Sequence, residues 1–302
     1  MSLSMAVTRF LTRFLPTTTR TPETALRSAR ERTEAAPLPA RLRRIAHVEE
    51  LVVNGRRVVR LTPRGEPSGA HLVYAHGGCY LYPPIPEHWT LIGTLIRDSG
   101  VSVTVPLYGL APGHTVEEAY ALLDVLYDEA VAHHGDRVYL AGDSAGGGLA
   151  LGQAMRIRDS GRTAPAGLLL LSPWLDATLG NPGVPALERL DHLLAVPGLV
   201  AAGEWWAGAL DPRSPLVSPL LGRLDALPPV FVYQGGRDIL AADAKLLARR
   251  IAAAGGEVEL RFYPGAFHVF VGAPWTPEAR RALRHAAGVL ARPAVAGAGP
   301  AV

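Results

Sequence analysis

The chain has 302 residues, 48% of them hydrophobic, a formal net charge of +3 and a single cysteine, Cys79. That content is ample for a large α/β core and excludes a disordered chain, while one thiol excludes an intrachain disulfide and a cysteine-built metal site and fits a reducing, cytoplasmic setting. Nine Arg against five Glu fall in the first 50 residues, so the remainder is close to neutral and offers no surface for nucleic acid.

The first predicted element is a helix, because Leu3, Val7, Phe10, Leu11, Phe14 and Leu15 recur at helical spacing on one face. Arg9 and Arg13 interrupt the apolar run, which argues against a secretory signal, and the chain has no apolar stretch of the roughly 18 residues that an integral membrane segment needs. Two readings stay open for this helix. Its apolar face packs on its own domain, or, favoured by the arginines, it makes peripheral contact with a membrane surface. Thr21 followed by Pro22 and Glu23 predicts a second helix, running to about residue 35, where "APLPA" stops it.

Strand-like runs follow at 45–53, 56–61 and 70–75, the first two joined by Asn54 and Gly55, a strong hairpin signal. Further strands at 101–106, 138–141, 167–171, 230–233 and 258–263 alternate with helical segments at 116–133, 146–159, 240–254 and 277–291. An antiparallel start followed by βαβ alternation predicts a mostly parallel sheet covered on both faces. The interval 173–229 is rich in Pro, Gly and Leu and too long for a simple crossover, so a cap over the sheet is expected there.

"YLAGDSAGGGLALG", residues 139–152, carries the pattern GxSxG at Gly142, Ser144 and Gly146, between a predicted strand and a predicted helix. A serine at the apex of so sharp a turn needs tiny neighbours two positions before and after it. Serine is a poor nucleophile at its ordinary pKa, so it requires a base within reach and a carboxylate to orient that base. Of the histidines beyond Ser144, His192 falls in the presumed cap and His285 on an Arg-rich terminal helix; His268, in the loop after strand 258–263, is the expected base. Asp238, in "QGGRDIL" at the carboxyl end of strand 230–233, is the expected acid, ahead of Asp243, Asp211 and Asp176. In "YAHGGCYLY" the amides of Gly77 and Gly78, together with that of Ala145, are expected to form an oxyanion hole. Cys79, Trp89, Trp205 and Trp206 are candidates for the substrate pocket.

Together "HGGCY", "YGLAPGHTVEEAY", "GDSAGGGLA", "LLSPWLD", "DPRSPLVSPL", "QGGRDIL" and "FHVF" resemble the hormone-sensitive-lipase-like branch of the α/β-hydrolases, the bacterial family IV carboxylesterases, over about residues 70–290. The resemblance implies the α/β-hydrolase fold, a mostly parallel eight-stranded sheet flanked by helices with a helical cap. It also implies a serine carboxylesterase acting on short- to medium-chain acyl esters, acetyl esters or lactones among them, without a metal or organic cofactor. The expected organisation is N-terminal cap helices at 1–44, a catalytic domain at 45–292 with a cap insertion at about 176–225, and a disordered tail at 293–302. A homodimer is an option the family offers. Two departures stand out: Cys79 occupies the third glycine of the family's HGGG loop, and Gly109 stands where "YRLAP" often has Arg. The other functions considered are an amidase or arylformamidase of the same fold, a membrane-bound lipase, and a non-catalytic small-molecule receptor, which usually lacks the histidine.

Overall fold

The computed structural model describes residues 1–292; the tail expected at 293–302 lies outside the described residues. Three short helices come first, α1 Leu3–Thr12, α2 Pro22–Arg30 and α3 Ala40–Ile45. The Thr21 hydroxyl accepts the Thr24 amide while the Thr24 hydroxyl accepts the Thr21 amide, a reciprocal cap with Pro22 in the first turn. This helix ends at Arg30, short of the expected 35, and Arg32 leaves it to donate to the carbonyls of Leu81 and Ala111.

Helix α1 forms, yet its apolar side is turned outward. Met5 and Thr12 are buried, while Leu3, Val7, Phe10 and Leu11 are exposed, as are Phe14 and Leu15 in the turn that follows. The helix is held at its N-cap and at its middle instead. Ser2 bonds Glu278 through both its amide and its hydroxyl, and the Trp275 indole donates to Thr8.

The hairpin β1 Ala46–Val53 and β2 Arg56–Pro63 turns at Asn54 and Gly55, both with positive φ (47° and 72°), as a tight two-residue turn demands. The α/β part follows as β3 His71–Ala75, α4 Pro86–Ser99, β4 Ser102–Pro106, α5 Val116–His134, β5 Val138–Asp143, α6 Ala145–Asp159 and β6 Gly167–Leu171. The cap segment contributes α7 Val184–Glu188 and α8 Val196–Ala207, and β7 Val230–Arg237, α9 Ala241–Ala253, β8 Val258–Phe267 and α10 Pro277–Leu290 complete the described chain. The eight strands run in the order β1-β2-β4-β3-β5-β6-β7-β8. β1–β2 and β2–β4 pair antiparallel and every later pair is parallel, which is the α/β-hydrolase arrangement.

Alternation along the central strands divides two cores. Val73, Leu140, Leu168 and Leu170 face one layer with α5, α6 and α9, whereas Leu72, Tyr74, Tyr139, Leu169 and Leu171 face the other with α4 and α10. Every residue of β3, β5 and β6 is buried, so these strands are covered on both sides and their carboxyl ends form the floor of the site.

Candidate active site

Ser144 sits between β5 and α6 with φ 50° and ψ −121°, a left-handed setting that puts its hydroxyl at the apex of the turn. The space around it explains the glycines. A Cβ at Gly142 would lie 2.2 Å from the Gly146 carbonyl oxygen, and one at Gly146 would lie 2.0 Å from that of Ala75. The strain is held from outside: the Ser144 amide donates to Leu171 O at 2.9 Å.

His268 follows the last residue of β8, and its Nε2 lies 2.9 Å from Ser144 Oγ. Its Nδ1 lies 2.9 Å from Asp238 Oδ2. The next residue, Val269, is also left-handed (φ 48°) and donates its amide to Ser172 Oγ, which pins the loop carrying the imidazole. Asp238 is fully buried; it accepts from Leu240 N–H at 2.9 Å and from the Gln234 side chain at 2.8 Å. These two donors hold the carboxylate in place behind the imidazole. Burial works against a charged imidazole at 268, but the charge and hydrogen bond of Asp238, reinforced by Asp191 and Asp143, raise His268 above its ordinary value. The structure thus brings Ser144, His268 and Asp238 into one chain of hydrogen bonds, and places Asp243 apart, bonded to Asn181.

The loop after β3 departs from expectation by one residue. The Gly77 amide is engaged by Asp143 Oδ1 at 2.9 Å, and Gly77 is absent from the lining of the cavity that holds Ser144, so it is not the oxyanion donor expected. Gly78 and Cys79 line that cavity, and their amides, like that of Ala145 at the start of α6, have no acceptor among the described residues. The reason is the turn that follows, where Leu81 and Tyr82 donate back to Gly78 O and both Cys79 and Tyr80 take left-handed φ (56° and 59°). Burial, with Asp191 and Asp143 nearby, pushes the Cys79 thiol up to about 12, so it is an inert packing group.

Asp143, the residue before the serine in GDSAG, anchors this loop, and its part was missed in the sequence. It accepts from Tyr74 OH at 2.7 Å and from Gly77, and His88 Nε2 lies 3.3 Å away. The amide of Ile85 donates to His88 Nδ1, which fixes Nε2 as the donor toward Asp143. Burial alone would raise Asp143; the neighbouring His88 and the bonds from Tyr74 and Gly77 hold it down at about 2. An acidic residue between the glycine and the serine was the available signal.

Ser144 opens into a cavity of about 600 Å³, mostly apolar, within the range of small-molecule sites. Thr8, Leu11, Thr12 and Leu15 supply one wall, Leu193 and Leu194 of the cap segment another, and Leu91, Val269 and Trp275 much of the rest. None of Trp89, Trp205 and Trp206 lines it, which corrects their expected place in the pocket. Trp89 is buried on the inner face of α4 with its indole donating to Ala36 O; Trp205 is half-buried on the cap-side core; Trp206 stacks on Tyr80 at 4.3 Å and braces the oxyanion loop from behind. Gly109 also has a physical reason: any Cβ there would collide with His114.

Comparison with known proteins gives concordant results. A family model for the alpha/beta hydrolase fold matches residues 72–272. A triacylglycerol lipase of Mycobacterium tuberculosis is 33% identical over 231 residues, and the match covers 76% of this chain but only 48% of the lipase. An acetyl-hydrolase of Streptomyces hygroscopicus is 34% identical over 227 residues, covering 74% of this chain and 75% of that protein. Among solved structures, an esterase from the bacterial hormone-sensitive lipase family superposes with a TM-score of 0.81 at 26% identity, across 96% of this chain and 98% of that one.

Proposed function

This chain belongs to the hormone-sensitive-lipase-like carboxylesterases of the α/β-hydrolase fold, and from that membership we propose a serine esterase with Ser144 as nucleophile, His268 as base and Asp238 as its orienting acid. The single observation that carries the proposal is the unbroken relay of two 2.9 Å contacts from Ser144 through His268 to Asp238. His268 takes the hydroxyl proton as Ser144 Oγ bonds to the ester carbonyl carbon, and the carbonyl π pair moves onto oxygen. Gly78, Cys79 and Ala145 are the proposed donors to that oxyanion. Collapse breaks the bond to the alcohol oxygen, which takes the proton from His268. Water, deprotonated in turn by His268, then releases the acid and restores the serine.

The proposed substrates are short- to medium-chain acyl esters, with acetyl esters and lactones included. The apolar cavity of about 600 Å³ and the acetyl-hydrolase relative support this. A p-nitrophenyl ester series run beside a lactone and N-formylkynurenine tests it, with fluorophosphonate labelling as a check on the nucleophile. Ser144→Ala is expected to lower turnover by about 10⁶. Faster turnover of the formamide than of every ester, or labelling that persists in the Ala variant, would refute the reading.

A second reading concerns where the enzyme works, and the outward apolar side of α1 favours it. Phe14 is 71% exposed, Phe10 52% and Trp275 58%; Trp275 lines the cavity, and Phe10 and Phe14 are the chain neighbours of Leu11 and Leu15, which line it too. Residues 1–22 carry three arginines and no carboxylate side chain, and neither Arg9, Arg13 nor Arg20 is paired with one among the described residues. We propose peripheral contact of this rim with an anionic membrane surface. Phe10→Ser with Phe14→Ser should abolish cosedimentation with phosphatidylglycerol vesicles; an unchanged pellet would end the proposal. No helix among the described residues is long and apolar enough to cross a membrane. A cytoplasmic location is proposed on the lone buried thiol, and the division into cap helices, catalytic domain and cap insertion on the order of the elements.

A further inference from the structure

Asp191 lies in the cap segment between α7 and α8, far in sequence from the proposed triad, and no motif marks it. It is nonetheless buried, only 8% exposed, and beside the catalytic acid. Its Oδ1 accepts the amides of Leu193 at 2.8 Å and Leu194 at 3.1 Å, the two residues that form the cap wall of the substrate cavity. Its Oδ2 accepts the amide of Ile239 at 2.9 Å. The next amide, that of Leu240, goes to Asp238 itself. Two buried carboxylates thus take consecutive amides of one loop, one carboxylate from the cap and one from the triad.

We propose that Asp191 is a positioning residue: by holding Ile239 while gripping Leu193 and Leu194, it keeps Asp238 seated behind His268 and joins the substrate wall to the acid of the triad. This rests on the serine-esterase reading above. A buried carboxylate without a task is costly, and three backbone donors on one side chain order a segment that otherwise has little regular structure. Its charge also reaches the imidazole. The groups that face it are Asp238 on the loop after β7, His268 on the loop after β8 and the Cys79 thiol on the oxyanion loop; Asp143 adds its charge at the imidazole from the end of β5. Burial and then the charge of Asp238 raise Asp191 to about 6, while His268 and the amides of Ile239 and Leu193 oppose the rise.

The test is the pH dependence of kcat/KM for a p-nitrophenyl ester in Asp191→Asn and Asp191→Glu, with fluorophosphonate labelling of the wild type alongside. Asn keeps an oxygen for Leu193 and Leu194 but removes the charge and the acceptor for Ile239. Loss of an anion disfavours the imidazolium, so the acid limb should move down by about half a pH unit. Turnover at pH 8 should fall about tenfold as Asp238 loosens. Glu, which keeps the charge, should keep the limb of the wild type with partial turnover. A limb that stays in place in the Asn variant, with or without a lower melting temperature, overturns the proposal and reduces Asp191 to a structural group. If the Asn variant lacks a native melting transition, the Glu variant decides: a wild-type limb supports the proposal and a displaced limb overturns it. A wild-type protein that takes no label removes the esterase reading and this proposal together, whereas a labelled protein with an unmoved limb removes only this one.

Discussion

At the level of single residues, the clearest lesson is the shift of the oxyanion loop by one position. Composition pointed to Gly77 and Gly78, since a residue without Cβ lets a substrate approach. What decides is which amides are already taken, and that depends on Asp143, 66 residues further along the chain. Gly77 has its own reason to be glycine, because a Cβ there would sit 2.1 Å from Asp143 Oδ2. Cys79 takes the place of Gly77, with an amide that, like that of Gly78, has no acceptor among the described residues, and it holds φ at 56° despite its side chain. Left-handed backbone at a non-glycine residue costs about 1–3 kcal/mol, and glycine escapes that cost. Cys79→Gly is therefore expected to keep kcat within about threefold of the wild type, because the donor is the backbone and the thiol has no role. Activity assays on the purified variant check this. A loss of 100-fold or more would show that the side chain matters and that the oxyanion assignment is wrong.

At the level of elements, all eight strands were legible, because the central ones are continuous apolar runs and the first two flank an Asn-Gly turn. Helix α4 was not read, although Pro86 opens it and Gly100, at φ 68°, closes it. Its inner face is long: Trp89, Leu91, Ile92, Leu95 and Ile96 are buried along with His88 and Thr94, so no clean amphipathic stripe shows in the sequence. For α1 the periodicity was read correctly, but periodicity reports only that a face is apolar and not what covers it. The cap-side tryptophans failed for a related reason, since an aromatic residue packed behind a loop looks the same in sequence as one that lines a cavity. Asp191 gave no signal of its tie to the triad, because Ile239, the partner that makes that tie, lies 48 residues away. The wall formed by α1 and its following turn carries a prediction of its own. Leu15 lines the cavity yet is 54% exposed, so a larger side chain there narrows the mouth without overpacking the core. Leu15→Trp should leave p-nitrophenyl acetate turnover within about twofold and lower that of the decanoate by about tenfold, a discrimination of the size that pocket contacts of this kind produce. Equal losses across the chain-length series would mean that this wall does not contact the acyl group.

At the level of the whole molecule, two of the buried histidines oppose folding in acid, and they sit at either end of the same strand. His71, at the start of β3, is bonded through its two ring nitrogens to Ser102 and Thr104, and His76, just past the end of that strand, stacks on Tyr108 at 4.3 Å. Burial, together with His134, Arg60 and His133, lowers His71 to about 3; burial and His88 lower His76 to about 4. Both values are below 6.5, the ordinary value that the unfolded chain keeps. Below that pH the unfolded chain binds protons that the folded chain refuses, so stability is complete above about 6.5 and is lost as pH falls toward 4. Each such group contributes a slope of about 1.4 kcal/mol per pH unit through that window. Asp143 adds nothing there. Held at about 2 against an ordinary 3.8, it contributes its stability above the latter value and loses it only below. Asp191 and Asp243 act in the opposite sense, because carboxyls raised to about 6 favour the folded state most at low pH and less as pH rises through that value. Between about pH 4 and 6.5 the two histidines therefore work against these two carboxyls, and the slope that belongs to one histidine shows only when that histidine is removed. His71→Asn, which keeps polar contact with Ser102 and Thr104 but cannot take up a proton, should therefore melt lower than the wild type at pH 7.5 and lose less melting temperature between pH 6.5 and pH 4.5. Melting curves recorded across that range separate the two slopes, and parallel lines would show that His71 is protonated in the folded protein as readily as in the unfolded chain.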